Sequence, residues 1–208
     1  MASNTKFWNK TAENYAKKPV PNETVYQKKL QMTQQYFNKN MSVLEFGCGT
    51  GSTALVHAPY VKNYLATDIS SKMLEIAKAK LAQTEIDNLQ FEMTSLDQLS
   101  SPRESFDVIL AMSIIHLVDD PKASIERSYD LLAPNGVFIS STPCISGLWK
   151  LLKLVLPIAR PLGLLPNVHF FSHDQLINDI THAGFIIEEQ WIPEENKMTS
   201  FIIARKPQ

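Results

Sequence analysis

Val43-Leu44-Glu45-Phe46-Gly47-Cys48-Gly49-Thr50-Gly51-Ser52-Thr53-Ala54 is the stretch around which this sequence is organised. Its apolar start (Val43, Leu44, Phe46) reads as a buried strand, and Gly47 to Gly51 read as a tight turn. Ser52 and Thr53 then open a helical segment. Glycines alternating with small residues let the backbone turn sharply and approach a ligand, because no Cβ stands in the way. A helix starting there would turn its free N–H groups to the same point. Such a strand–turn–helix nucleotide site needs an acid on the next strand. Asp68 supplies one, closing the strand-like run 62–67 about twenty residues after Gly47. Any α/β domain has glycines in its first turn; Glu45 before this turn and Asp68 beyond it set it apart.

Dinucleotide oxidoreductases carry G-x-G-x-x-G, whose last glycine allows close helix–strand packing. Here Ser52 follows Gly51, so the pattern is G-x-G-x-G. The run from Val43 to Gly51 resembles the first motif of the class I S-adenosylmethionine-dependent methyltransferases, and Asp68 matches their second-strand acid. The resemblance is to the small-molecule, ubiquinone/menaquinone-methyltransferase-like group. It implies S-adenosyl-L-methionine as cofactor, with Glu45, Gly47, Cys48, Gly49 and Gly51 around it. Asp68 and Ile69 would grip the ribose hydroxyls and the adenine. A carboxylate at a strand end can accept two hydroxyl hydrogen bonds, which suits a ribose diol.

A chain of 208 residues fits one domain, 1–208, with a sizeable core. With 44% hydrophobic residues and a net charge of -1, it is neither disordered nor a source of a strong nucleic-acid field. Two cysteines, Cys48 and Cys144, make no disulfide framework and no zinc site, so a reducing, cytoplasmic setting is expected. The start of the chain, with Asn4, Lys6, Asn9 and Lys10, lacks the apolar core of a signal peptide.

Residues 1–38 read as an N-terminal cap segment: a polar stretch with Phe7, Trp8 and Tyr15, then an amphipathic helix over 23–37. The family resemblance implies that Tyr15 touches the cofactor and Trp8 faces the substrate. Ser70 or Ser71 caps the helix after Asp68. Residues 89–93 are the third strand, followed by Thr94-Ser95-Leu96-Asp97. Relatives place Gly-Asp-Ala here, so Ser95 stands where an adenine-binding Asp is expected, with Leu96 beside it. A hydroxyl is a weaker acceptor than a carboxylate, and Asp97 is expected to point elsewhere.

Residues 105–112 read as a fourth strand, apolar on both faces, with Ala111 and Met112 beside the methionine part of the cofactor. His116 beyond it is the candidate general base, set against a structural role at the pocket edge. No matched Cys, Asp or Glu announces a catalytic base. Asp120-Pro121 opens a helix running to Leu132. Residues 133–136 form a turn and 137–141 a fifth strand; Leu132 to Gly136 matches the family's Leu-x-Pro-x-Gly turn.

Residues 145–165 are apolar and basic, and no Asp or Glu occurs between Leu131 and His173. They are too interrupted by Lys150, Lys153, Arg160 and prolines to span a membrane. Three readings stay open: a lid over the acceptor site (about 145–170) with Trp149 on the substrate side, peripheral contact with an anionic membrane, or a core or dimer helix. A helix from His173 ends at Gly184, and 185–191 and 199–204 are closing strands.

Alternating strands and helices predict a three-layer α/β, Rossmann-like domain. The seven-stranded, mostly parallel sheet with an antiparallel last strand is what the family resemblance implies. The expected reaction is methyl transfer to a small apolar or anionic molecule, without nucleic acid. An NAD(P)-dependent oxidoreductase and a non-catalytic cofactor-binding or membrane-surface protein are the alternatives.

Overall fold

Strands β1 (Ser42–Phe46), β2 (Asn63–Asp68), β3 (Leu89–Met93), β4 (Phe106–Met112), β5 (Leu132–Pro143), β6 (Ile186–Trp191) and β7 (Thr199–Arg205) form one sheet. Their order is β3-β2-β1-β4-β5-β7-β6. The structure, a computed structural model, describes residues 2–144 and 166–208. The first five strands run parallel, and β7 lies antiparallel to both β5 and β6. The mostly parallel sheet with an antiparallel last strand is therefore observed. Chain order reverses between β1 and β4, and such a switch point opens a crevice at the carboxyl ends of the strands.

Two-residue alternation splits the core. On one face, Leu44, Ile109, Phe138 and Ile202 pack with Ile125 and Leu131 of α5 (Pro121–Leu131) and with Leu176 and Ile180 of α6 (His173–His182). On the other, Val43, Leu110, Ile139 and Phe201 pack with Ala54 of α3 (Ser52–His57), Leu74 of α4 (Ser71–Leu81) and Met32 of α2 (Glu23–Gln34). Helix α1 (Ala2–Ala16) lies against α4.

Local capping sets the helix starts. Ser70 Oγ accepts from Met73 N at 3.1 Å, Asp120 Oδ1 from Ala123 N at 3.1 Å, and Ser172 Oγ from Gln175 N at 3.1 Å. Gly184, at φ 101°, follows α6. Helix α2 stops at Gln34 rather than at Phe37 as the sequence led us to expect. Helix α3 is one short segment of 6 residues, because Pro59 cannot donate to the helical ladder and a 3-10 turn (Ala58–Tyr60) follows. Residues 133–136 fall within the bounds of β5 but have no partner in the ladder: Phe106 faces Leu132 while Val108 already faces Val137, and Asn135, at φ 63°, turns the chain between them. The exit of β7 satisfies this turn: Arg205 Nη1 donates to Asn135 O at 2.7 Å, and Lys206 N to Gly136 O at 2.9 Å.

Candidate active site

The turn after β1 closes through Cys48 N donating to Thr67 O at 2.9 Å and Gly51 N to Cys48 O at 3.0 Å. Lys80 Nζ buttresses it from α4, donating to Thr50 O, Thr50 Oγ1 and Ser52 Oγ, each at 3.0 Å. Gly47, Gly49 and Gly51 all have positive φ, at 67°, 55° and 73°, yet they face different neighbours. A Cβ on Gly47 would lie 2.3 Å from Ile114 Cγ1, and one on Gly51 would lie 2.7 Å from Phe91 Cζ and 2.9 Å from Ala77 Cβ. A Cβ on Gly49 would meet nothing nearer than Tyr15 Cε1 at 3.9 Å. Gly47 and Gly51 thus permit packing, while Gly49 keeps the backbone open toward a cavity.

Asp68 ties this turn to the end of β2. Its Oδ2 accepts from Gly49 N at 2.9 Å and its Oδ1 from Ser70 N at 2.8 Å. The residue is 9% exposed. Burial raises its pKa, against the lowering effect of those backbone bonds. Asp68 lines the cavity, and a carboxylate can accept more bonds than these.

That cavity has a volume of about 580 Å³ and opens at the carboxyl ends of β1, β2, β3 and β4. Ile69, Met73 and Leu96 form an apolar shelf, with Thr94, Ser95 and Asp97 along its edge. Met112, Ser113 and Ile114, at the end of β4, and Asp119, Asp120 and Arg127, around and within the start of α5, also line the cavity. Trp8 and Tyr15 of α1 cover it. Two asparagines pin that helix. Asn4 Nδ2 donates to Leu117 O at 3.2 Å while Asn4 Oδ1 accepts from Asn167 N at 2.8 Å. Asn9 Oδ1 accepts from Ser70 Oγ at 2.7 Å and Lys72 N at 3.3 Å. Nothing local in the sequence marks Asn4 or Asn9; their partners lie far away along the chain.

Among the residues expected at the cofactor, Tyr15, Gly47, Gly49, Asp68, Ile69, Ser95, Leu96 and Met112 line the cavity. Glu45, Cys48, Gly51 and Ala111 stand behind its wall. Glu45 is 2% exposed and accepts from Tyr64 Oη at 2.7 Å; burial pushes its carboxyl up to about 7. Burial holds the Cys48 thiol well above its ordinary value, so it stays protonated. Ala111 alternates away from Met112 into the core that faces α5 and α6. His116 does not line the cavity either. Burial, reinforced by His169, pushes it down to about 4, and its carbonyl accepts from His169 N at 2.7 Å. Asp97 corrects the sequence expectation the other way: it lies on the wall, brought there by a turn in which Gln98 N donates to Ser95 O at 3.1 Å. Trp149 and the whole of 145–165 lie outside the described residues.

A switch-point crevice with an open glycine, an acid at the tip of the second strand and an apolar shelf defines a nucleotide-type cofactor site. The residues present fit an adenosyl group, since Asp68 can accept from a diol and the shelf can take a planar base. The family profile described as a methyltransferase domain matches residues 21–190. The chain belongs to the class I S-adenosylmethionine-dependent methyltransferases. It is 29% identical over 173 residues to a malonyl-[acyl-carrier protein] O-methyltransferase of Priestia megaterium, covering 80% of this chain and 61% of that protein. To a ubiquinone biosynthesis O-methyltransferase of Rhodopseudomonas palustris it is 26% identical over 164 residues, covering 72% and 60%. The chain thus spans about three fifths of the length of these curated relatives. An S-adenosylmethionine-dependent methyltransferase from Mesorhizobium loti shares the fold, with a TM-score of 0.68 and 21% identity over 85% of this chain and 95% of that one.

Proposed function

We propose that this protein transfers a methyl group from S-adenosyl-L-methionine to a small molecule with an apolar body or an anionic group. The observation that carries the reading is Asp68, a residue of the cavity wall whose two carboxyl oxygens hold Gly49 N and Ser70 N. Asp68 would take the ribose hydroxyls, Ile69 and Leu96 would sandwich the adenine, and Ser95 would meet its edge. Gly47, Gly49 and Tyr15 would flank the methionine part. When bound, the cofactor supplies an electrophilic methyl group on a sulfonium sulfur. Discharge of a sulfonium is favoured where water is excluded, and the pinned α1, with Trp8 and Tyr15, serves that purpose.

Among the described residues no histidine, cysteine or lysine lines the cavity. Lowered by burial, His116 is neutral near pH 7, but it stands off the wall. A base for a hydroxyl acceptor would have to come from the aspartates on the lining, Asp97, Asp119 or Asp120, whereas an acceptor that arrives as an ionised oxygen needs none. The names of the two O-methyltransferase relatives support an oxygen acceptor. We read 1–208 as one domain with an N-terminal cap and a lid at about 145–170. A cytoplasmic setting rests on Cys48 and Cys144, both buried and unpaired. No helix among the described residues is long and apolar enough to cross a membrane.

Calorimetry with S-adenosylhomocysteine tests the assignment. Losing charge-assisted bonds in Asp68→Ala should weaken binding roughly ten- to a hundredfold, with a smaller loss in Asp97→Ala. Equal losses from both variants, or a nicotinamide dinucleotide bound in place of S-adenosylhomocysteine, would overturn it.

A further inference from the structure

Ser52 stands where the dinucleotide fingerprint, counted from Gly47, has its third glycine. The fold gives that serine a partner. Lys80, in the last turn of α4, donates from Nζ to Ser52 Oγ, Thr50 Oγ1 and Thr50 O, each at 3.0 Å. An ammonium has three N–H donors and no acceptor, so these three oxygens use it completely. Thr50 is 6% exposed, and leaving its buried oxygens without a donor would be costly. A cation in the last turn of α4 is itself favoured by that helix's free carbonyls.

The glycine turn is thus held from both ends of α4. At the first end, Asp68 accepts from Ser70 N, the N-cap of α4, and from Gly49 N. At the other end, Lys80 takes the next residue, Thr50, and Ser52 beyond it. Gly49 and Gly51, on either side of Thr50, have φ of 55° and 73°, and glycine's backbone freedom is widest of all residues. Fixing the Thr50–Gly51 peptide takes that freedom from both. Lys80, Thr50 and Ser52 do not line the cavity, whereas Gly49 and Asp68 do. Lys80 therefore acts from behind the wall, through Gly49. Its flexible four-carbon stem lets the ammonium follow small shifts of α4, so the clasp governs Thr50 rather than the packing of Gly51 on Phe91 and Ala77.

We propose that Lys80 is a positioning residue of the cofactor site: by clasping Thr50 and Ser52 it holds Gly49 in the shape that admits S-adenosylmethionine. This rests on the methyltransferase reading and adds to it a residue outside the cavity. The entropy of the glycine turn is then lost on folding, through Lys80, and not on binding, which raises the affinity for the cofactor.

Lys80→Met and Lys78→Met are compared by calorimetry with S-adenosylhomocysteine and by thermal melts. Lys78 shares the last turn of α4 but is exposed, so its variant controls for loss of a charge there. Lys80→Met should weaken binding about tenfold, and Lys78→Met should bind as the unaltered protein does. A merely structural lysine would move the melting temperature alone. Lys80→Cys alkylated with 2-bromoethylamine carries an ammonium on a side chain of lysine's length and should regain the lost affinity. Alkylation with iodoacetamide, which adds no charge, should not. Cys48 and Cys144 are 8% and 3% exposed, and the unaltered protein treated alike is the reference. Acetylation interference on the unaltered protein needs no variant to fold. After sparse treatment with acetic anhydride, the protein is passed over immobilised S-adenosylhomocysteine and read by mass spectrometry. Chains acetylated at Lys80 should be depleted from the retained fraction, and chains acetylated at Lys78 should not. Unchanged affinity in Lys80→Met, an equal loss in Lys78→Met, no recovery on aminoethylation, or no depletion would each overturn the proposal while the cofactor assignment stands. Failure of the unaltered protein to bind S-adenosylhomocysteine would instead overturn the methyltransferase reading, and this proposal with it.

Discussion

Replacing Glu45 with glutamine should stabilise this protein above neutral pH. Glu45 lies in the second turn of alternation on β1, 2% exposed, with Tyr64 Oη donating to it at 2.7 Å. Burial, and then the charge of Asp68, lift its carboxyl from the ordinary 4.5 to about 7, while the Tyr64 bond pulls the other way. At about 1.4 kcal/mol per pH unit, that displacement disfavours the ionised form by about 3 kcal/mol. The folded chain thus holds a proton that the unfolded chain releases between pH 4.5 and 7. Its share of the stability is complete below 4.5 and is lost as pH rises through 7. Glutamine keeps the size and an acceptor for Tyr64 but carries no charge, although its amide adds a donor. The expected gain at pH 8 is about 1–3 kcal/mol, or several degrees in Tm for a chain of this length; near pH 4 the gain should vanish. His57 works in the opposite sense. Fully buried, with neither ring nitrogen hydrogen-bonded among the described residues, it is pushed down to about 4, so its share is present above 6.5 and lost as pH falls toward 4. The two slopes oppose each other in the unaltered protein, and Glu45→Gln should leave the His57 rise exposed. Urea unfolding followed by circular dichroism at pH 4.5, 5.5, 6.5 and 8 measures this. A variant no more stable than the parent at pH 8 would refute the reasoning.

Gly51→Ala should lower stability by about 2–4 kcal/mol, from a left-handed alanine and its clash with Phe91 and Ala77, yet leave cofactor affinity per folded molecule intact. Gly49→Ala should cost only about 1–2 kcal/mol of stability but weaken S-adenosylhomocysteine binding; thermal melts and calorimetry on both variants separate the two roles, and identical profiles would contradict them. Asn4→Ala and Asn9→Ala each remove two hydrogen bonds that hold α1 over the cavity. Both should speed proteolysis at Lys17 and Lys18 and raise the S-adenosylhomocysteine off-rate, measured by stopped flow, with about 1–2 kcal/mol lost from stability; unchanged rates would show that α1 does not act as a cover.

Most of what depends on a few neighbouring residues was legible in the sequence. The apolar run of β1, the glycine turn and the acid at the end of β2 follow from strand periodicity, backbone freedom and a fixed spacing. The caps at Ser70 and Asp120 and the stop at Gly184 are equally local, which is why they stand where the residue types put them. Partners brought from elsewhere decided the rest. Gly47, Gly49 and Gly51 look alike in the sequence, but Ile114 crowds the first, Phe91 and Ala77 crowd the last, and only the middle one faces open space. Glu45 belongs to the motif yet points into the core, because strand alternation pairs it with Tyr64 instead of the cavity. Asp97 is a local exception, reaching the wall through a turn between Ser95 and Gln98 that no spacing announced. Residues 133–136 read as a turn, and only the tertiary structure shows what holds it: the exit of β7, with Arg205 and Lys206 on the carbonyls of Asn135 and Gly136. Asn4 and Asn9 carry no motif at all, and their roles exist only because helix α1 folds back over the cavity at the carboxyl ends of the strands. A residue's backbone preference is set by its own chemistry and its immediate neighbours, whereas the atom that it touches is set by chain segments tens of residues away.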